Sequence, residues 1–547
     1  MKKISVDILR PRRAPVRLLM LALSGALAGL CITFPTYVGA FLQWLVYVPA
    51  AWVLYAMSGD DTGTARRFLR SWRYGFLFFM SEYLVVYHWF FAFYPLDFTG
   101  MSRASAAVVV MVAWVGLSLL ASLAGGFVFV LFVLAARGKA AKRLPWLMPF
   151  TGGALFALFE WVETIGWMGV PWGRAALGQL AFDSSLTVQS ASLFGSYFVT
   201  FLIVSVSFLM AQAALSERRV AVARTCTALV LVLSNLIYGA GAFCFGSEGA
   251  EIRTAAIQGN VSSREKWTLT VNDTVELYKG LICEAAEAGA ELIVCPESAF
   301  PWDMTHDSGS LDTFGSIARE YGVSIIIGCL DGRGEGQQNV LILICPNGSV
   351  SDTFYSKRHL VPFGEYMPWR DFLSVLIPPL AEIAMLEYDI VAGSSPAVMA
   401  LADGTCVGGL ICFDSIYETL ALESAREGAQ ILALGTNDSW FLDSAAVYMH
   451  NEQARLRAIE TGLPVVRAAN TGISSLIDSK GRVNGSLPPL EDGVLCGTLT
   501  TGSASFYCCI GNLFVYLLIA FYFSQLAYGV AVSLLEKRRG LRKSCDT

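Results

Sequence analysis

An acid, a lysine and a cysteine stand near the ends of apolar runs in the second half of the chain. Glu297 follows "LIVCP", Lys357 lies in the Pro- and Gly-containing stretch "YSKRHLVPFGEYMPW", and Cys412 follows "GGLI". Brought together they would make a nucleophilic site. The carboxylate takes the thiol proton, while the ammonium favours the thiolate and later balances an oxyanion. Each residue also has a plainer explanation. Free cysteine is among the most buried residue types, Glu297 can neighbour a helix N-cap, and Lys357 can be a solvated loop charge paired with Glu365. The sequence has no Cys-x-x-Cys or His-x-x-x-His ligand spacing, no Walker loop and no dinucleotide fingerprint, so no metal or other cofactor is expected.

The elements around these residues alternate. "RTAAIQGN" reads as a strand, 268–289 as an amphipathic helix and "ELIVCPES" as a buried strand. Helix 309–321 follows, then strands "VSIIIGCL", "NVLILICP" and "TCVGGLICF", a helix near 417–427, strand "QILALGTN", helix 444–461 and strand "PVVRAAN". Near-continuous apolar strands alternating with helices indicate a layered α/β domain. Polar residues at strand C-termini line the crevice of such folds, and Glu297, Cys412 and Asn437–Asp438 all hold that position. His450, on a helix with Gln453 and Arg457, is expected to be structural. Seven cysteines fall in this region, an odd number. Cys406 and Cys412 share one extended strand and cannot pair with each other, so at least one thiol is free.

The flanks of this domain are different. The chain is 55% hydrophobic and 15% charged, with a mean hydropathy of +0.54, too apolar for a soluble protein of this length. Seven apolar stretches precede the domain, at 17–35, 38–57, 74–95, 105–136, 146–166, 191–215 and 225–246, and an eighth follows at 508–534. Each approaches the ~20 residues that cross a bilayer as helix. "LAGGF" in the fourth is a candidate kink, and Glu160 and Glu163 interrupt the fifth. Six further spans after the first argue against a cleaved signal peptide. Arginines and lysines cluster before span one, between spans two and three, after spans four and six, and at the C-terminus. The positive-inside rule then puts both termini in the cytoplasm and the α/β domain outside. The expected boundaries are 1–247 for a membrane bundle, 248–505 for the exported domain, and 506–547 for the eighth span with a basic tail. Cys508 and Cys509, near the outer end of that span, read as packing residues.

The combination carries a resemblance. Glu297 in "PES", Lys357 in "YSKRHLVPFGE" and Cys412 in "ICFD" are similar to the Glu–Lys–Cys triad of the nitrilase, or carbon–nitrogen hydrolase, superfamily. Within it, the chain resembles the bacterial apolipoprotein N-acyltransferases. That likeness runs through "QGN" with Trp267, "KRHLVPFGEYMP", "NDSWF", "HNEQARLRAIE", "RAANTGIS" and, upstream, "GVPWGR". It implies a bundle of about eight membrane spans carrying a nitrilase-like αββα domain. It also implies that Glu297, Lys357 and Cys412 are catalytic, with Glu365, Phe413 and Asp414 in support and Trp267, Trp440 and Asn339 on the substrate side. The family often has Tyr and Glu after the nucleophile, where this chain has Phe413 and Asp414.

The implied reaction is a ping-pong acyl transfer at the bacterial inner membrane. Cys412 takes an acyl chain from a phospholipid as a thioester and passes it to the α-amine of diacylglyceryl-cysteine on a lipoprotein. No nucleic-acid partner is expected. The rival is a membrane-anchored amidase or nitrilase acting on small external substrates. The apolar segment "WRDFLSVLIPPLAEIAML" (Trp369 to Leu386), between two of the triad positions, favours the transferase. A soluble enzyme would have to bury it in its core or at an interface, whereas an enzyme drawing its donor from a bilayer can use it as a lid.

Overall fold

The computed structural model describes residues 14–59, 63–96, 101–166, 169–182, 185–244, 249–263, 266, 268–332, 336–376 and 389–545. They form two compact units, one of residues 1–88, 111–241 and 512–547 and the other of 89–110 and 242–511.

The first unit is helical. Its long elements are α1 (Ala14–Thr33), α2 (Val48–Ser58), α3 (Thr64–Val86), α4 (Arg103–Arg137, which begins in the other unit), α5 (Met148–Val162), α6 (Ser196–Ala214), α7 (Arg218–Cys244) and a C-terminal helix, Leu513–Cys545. Five are long and apolar enough to cross a membrane: α1, α4, α6, α7 and Leu513–Arg539 of the C-terminal helix. The other three candidates depart from the expected spans. The second is broken into Tyr37–Leu42 and α2, the third ends at Val86, and the fifth is the 15-residue α5. Helix α4 runs without interruption through Gly125–Gly126 and lies against α3, where Trp72 Nε1 donates to Leu123 O at 3.2 Å. The acids interrupting the fifth candidate are held by protein donors. Glu160 accepts from Ala175 N and Thr200 Oγ1, each at 2.8 Å, and Glu163 accepts from the Tyr83 hydroxyl. Ala175 follows the "GVPWGR" motif, whose Arg174 donates to Ser196 Oγ at 2.9 Å.

The second unit holds a seven-stranded and a six-stranded sheet. The strands are β1 (Glu251–Gln258), β2 (Leu292–Val294), β3 (Phe300–Asp303), β4 (Ser324–Asp331), β5 (Gln338–Ile344), β6 (Tyr355–Ser356), β7 (Val398–Ala400), β8 (Cys406–Ile411), β9 (Ile431–Thr436), β10 (Val465–Ala469), β11 (Ser474–Ile477), β12 (Val483–Leu487) and β13 (Gly493–Thr500). One sheet runs β13-β1-β2-β4-β5-β6, with β3 beside β4, and the other runs β12-β11-β10-β9-β8-β7. Their centres, β1-β2-β4 and β8-β9-β10, are parallel, and the flanking pairs are antiparallel.

Period-two alternation divides the apolar residues between two cores. On β4, Ile325, Ile327 and Cys329 face helices α8 (Val271–Glu287) and α9 (Ser308–Tyr321), while Ile326 faces the opposite sheet. The inter-sheet core takes Ala256 and Leu292 from one sheet and Val407, Ile411, Ile431 and Val466 from the other. Helices α11 (Glu418–Arg426) and α12 (Ala445–Thr461) cover the outer face of the second sheet; between α9 and α11 in sequence lies the short α10 (Arg370–Leu376). The result is the expected αββα layering. Strands β11, β12 and β13 were absent from the sequence reading; β13 completes the first sheet by pairing antiparallel with β1 over its whole length.

Tyr355 of β6 lies in the inter-sheet core directly over Gly409 of β8. A Cβ at Gly409 would sit 2.5 Å from Tyr355 Cβ and Cγ, far inside contact distance. This glycine admits a side chain from the opposite sheet. Gly409→Val is therefore expected to destabilise the full-length protein by about 1–3 kcal/mol through overpacking. Gly280→Ala, in mid-α8 with nothing within 4 Å, should instead be neutral or stabilising. Thermal unfolding of both variants checks the contrast, and equal midpoints would refute it.

Candidate active site

Four strand ends converge at one edge of the sandwich. Glu297 lies three residues beyond β2, Lys357 directly follows β6, Cys412 directly follows β8, and Asp438 lies two residues beyond β9. Asn339 is on β5. The crossing of the Glu297 turn over β4 requires a glycine there, because a Cβ on Gly328 would lie 2.2 Å from Pro296 O and 2.9 Å from Glu297 Cα.

Lys357 is the hub. Its side chain is 1% exposed, and Nζ donates to Glu297 Oε1 at 2.8 Å and to Glu365 Oε1 at 2.9 Å. Asn339 Nδ2 donates to the same two oxygens, at 2.8 and 3.1 Å, and Val361 N donates to Glu365 Oε2 at 2.9 Å. Burial alone would strip Lys357 of its proton. The carboxylates of Glu297 and Glu365, with Cys412 nearby, reverse that and hold it firmly protonated. Two carboxylates around one ammonium leave a negative surplus. Burial first, and then Glu297, push the Cys412 thiol up, with Lys357 opposing them. The resting site is thus a thiol beside a carboxylate rather than a preformed thiolate.

The Cys412 turn is strained and anchored. Cys412 has φ +48°, a left-handed conformation unusual for a residue with a Cβ, where extended β8 turns into the 3₁₀ segment Cys412–Ile416. Asp414, fully buried, ties this turn to the lysine loop. It accepts from Ile411 N at 3.2 Å, His359 N at 2.7 Å, Arg358 N at 3.3 Å and the Tyr355 hydroxyl at 2.9 Å. Burial pushes its carboxyl up to about 6 despite Lys357 and these donors. Phe413 sets its ring edge-on to Tyr417, with centroids 5.7 Å apart.

A second buried network lies beneath. His450 on α12 pairs through Nδ1 with Asp438 at 2.7 Å, and its Nε2 lies 2.9 Å from Ser415 Oγ and 3.1 Å from Cys412 O. Arg467 of β10 donates to the other Asp438 oxygen at 2.7 Å. Cys412, Asp438 and His450 bring potential ligand atoms within 4.8 Å of one another. Against its burial, His450 and then the Arg467 guanidinium hold the Asp438 carboxyl well below the usual carboxylate range. Cys412, Asp438 and His450 stand out in the sequence, but Arg467 and the convergence of the four do not.

Asn339 was expected on the substrate side; its Nδ2 donates to the two carboxylates, while its buried Oδ1 has no hydrogen-bond partner among the described residues. Trp440 lies in the loop after β9, next to Phe441, which packs edge-on against Trp89 at 5.2 Å. Trp267 lies outside the described residues, as does 377–388 of the apolar segment. Before that gap, Trp369, Phe372 and Val375 at the start and along α10 are 62%, 63% and 82% exposed. Cys283, Cys295, Cys329, Cys345, Cys406, Cys412 and Cys496 are all free.

The carbon–nitrogen hydrolase family model matches residues 253–507, and the model of the apolipoprotein N-acyltransferase N-terminal domain matches residues 24–209. An apolipoprotein N-acyltransferase of Geobacter metallireducens is 30% identical over 514 residues, covering 92% of this chain and 93% of its own. Those of Allorhizobium ampelinum and Brucella melitensis are 33% and 30% identical, covering 64% and 86% of this chain and 67% and 87% of theirs. Among solved structures, a carbon–nitrogen hydrolase from Helicobacter pylori G27 aligns at 15% identity with a TM-score of 0.36, over 46% of this chain and 89% of that one.

His359 gives the site a pH dependence. It stacks on Tyr417 with centroids 3.7 Å apart, and burial, followed by the Lys357 charge, holds its imidazole down to about 4 from 6.5. Neutral His359 is thus favoured by the fold. Its contribution is complete above pH 6.5 and is lost as pH falls toward 4, with a full size on the order of 3 kcal/mol. The thermal midpoint of the wild type should fall across that window, and more steeply than that of His359→Gln. Parallel curves would assign the acid sensitivity to other groups.

Proposed function

The chain belongs to the apolipoprotein N-acyltransferase family, and on that premise we propose that it moves an acyl chain from a membrane phospholipid to the N-terminal amine of diacylglyceryl-cysteine in lipoproteins, through a thioester on Cys412. The observation that carries this reading is the buried Lys357 ammonium shared by Glu297 and Glu365 beside the Cys412 turn.

In the first half-reaction Glu297 accepts the Cys412 proton as Sγ attacks the sn-1 ester carbonyl of the donor. Moving that proton leaves the total buried charge unchanged, so the step creates its nucleophile without adding a charge to the interior. The carbonyl oxygen becomes an oxyanion, which Lys357 and the backbone N–H groups of the nucleophile turn stabilise. Collapse forms the thioester, and Glu297 returns the proton to the departing lysophospholipid alkoxide. In the second half-reaction the lipoprotein amine attacks the thioester, Glu297 takes an amine proton, the amide forms, and the proton returns to Cys412. Asn339, Glu365 and Asp414 position these groups, and Trp440 contacts the substrate. The loop charges support a catalytic domain on the outer face of the inner membrane with both termini cytoplasmic.

Mass spectrometry of the full-length protein after incubation with phospholipid tests the reading directly. A long acyl chain is expected on Cys412, discharged by a diacylated lipopeptide. Cys412→Ala should form no adduct, and Glu297→Gln or Lys357→Met should slow its formation by at least ~10²-fold. Acylation only by small amides would favour a membrane-anchored amidase.

The exposed face of α10 supports uptake of the donor from the bilayer. Burying a Phe or Val side chain in an apolar phase contributes roughly 1.5–3 kcal/mol. Phe372→Ser with Val375→Ser should therefore weaken use of long-chain phospholipid by one to two orders of magnitude, while a water-soluble short-chain thioester still acylates Cys412. Parallel loss of both substrates would make α10 part of the fold's core, and no loss of either would make it an inert surface.

A further inference from the structure

The helical unit contains a cavity that has no part in the chemistry above. About 330 Å³ in volume, it lies between the N-terminal halves of α5 and α7 and the C-terminal half of α6. Trp146, Phe150, Leu209, Val220 and Ala223 supply apolar walls, and Arg219 and Arg224 supply charge, with Thr227 completing the lining. No acid lines it. Arg224 Nε is buried without a hydrogen-bond partner among the described residues, and neither guanidinium joins an ion pair there. Arg219 is exposed and Arg224 half-buried at this open pocket, and arginines on apolar helices generally find an anion or reach the interface.

We propose that this cavity is a binding site for the headgroup of an anionic phospholipid, whose phosphodiester is held by Arg219 and Arg224. Three observations favour a lipid over a free anion. The volume is at the low end for ligand pockets, enough for a phosphodiester and glycerol but too small for a whole lipid. The acyl chains have an apolar track, because Val222, Leu229, Val230, Leu233 and Ile237 of α7 are all more than half exposed. Only 11% of the apolar stretch of α7 is buried by protein, the least among the five candidate spans. The cavity also sits where basic residues gather, since Arg218, Arg219 and Arg224 begin α7 and Lys139, Lys142 and Arg143 precede α5. Arginine offers planar, multidentate donation that suits a phosphodiester.

The test is native mass spectrometry of the full-length protein in detergent, carrying Cys412→Ala so that no lipid is consumed. Phosphatidylglycerol and phosphatidylcholine of identical acyl chains are titrated separately. Phosphatidylglycerol should bind at least ~10-fold more tightly, the scale set by about fivefold per basic residue at a membrane surface. The preference should disappear in Arg219→Gln with Arg224→Gln. It should also disappear in Ala223→Trp, which fills the cavity and keeps both charges, so the proposal stays testable if the double variant fails to fold. Equal binding of the two lipids, or a preference that survives both variants, overturns the site. Displacement of phosphatidylglycerol by millimolar inorganic phosphate would also overturn it, by making this a free-anion site.

Discussion

The catalytic domain is arranged around one buried ammonium. Lys357 is almost wholly removed from water, which for a lone cation would be prohibitive, and two carboxylates, Glu297 and Glu365, make it stable there. The dependence runs in both directions. Without the lysine the carboxylates would face each other across Asn339 at hydrogen-bond range, and without the carboxylates the lysine would shed its proton. The ammonium proposed as oxyanion partner is thus held in place by Glu297, the carboxylate proposed as base. Asp414 extends the constraint, since its oxygens hold the backbone of the lysine loop and of the nucleophile turn together.

This arrangement explains why the domain needs two sheets. The acid arrives on the loop after β2 and the lysine after β6 of one sheet, while the thiol arrives after β8 of the other. The inter-sheet core sets the spacing between them, and Tyr355 works on both levels. Its ring fills the space over Gly409, and its hydroxyl reaches Asp414. Packing and chemistry are coupled through a single side chain.

Much of this was legible in the chain. Alternating apolar strands and amphipathic helices announce the layered domain, and the polar residues at the ends of β2, β8 and β9 announce the crevice. The triad emerged from residue types in their local motifs. What stayed hidden was tertiary. Asn339 lies in an apolar strand whose sequence says nothing of two carboxylates meeting its amide. The left-handed turn at Cys412 has no glycine to mark it. Residues Asp438, His450 and Arg467 come from three separate elements, and only folding shows that they share one buried network. Strands β11 to β13 are short or half-polar, and β13 is defined by its pairing with β1 more than by its own pattern. In the helical unit, the arginines at the start of α3 disguised a helix that hydropathy alone would begin later.

The division of the triad between two sheets bears on how such an enzyme is made. Glu297 and Lys357 are synthesised well before Cys412, and the strands that hold the cysteine in register, β9 and β10, come later still. A chain still being made therefore carries Glu297 and Lys357 but not yet Cys412, the proposed nucleophile. When the thiol does appear, its proton has no acceptor until the second sheet closes on the first. On the proposed roles, reactivity is withheld by topology until that closure.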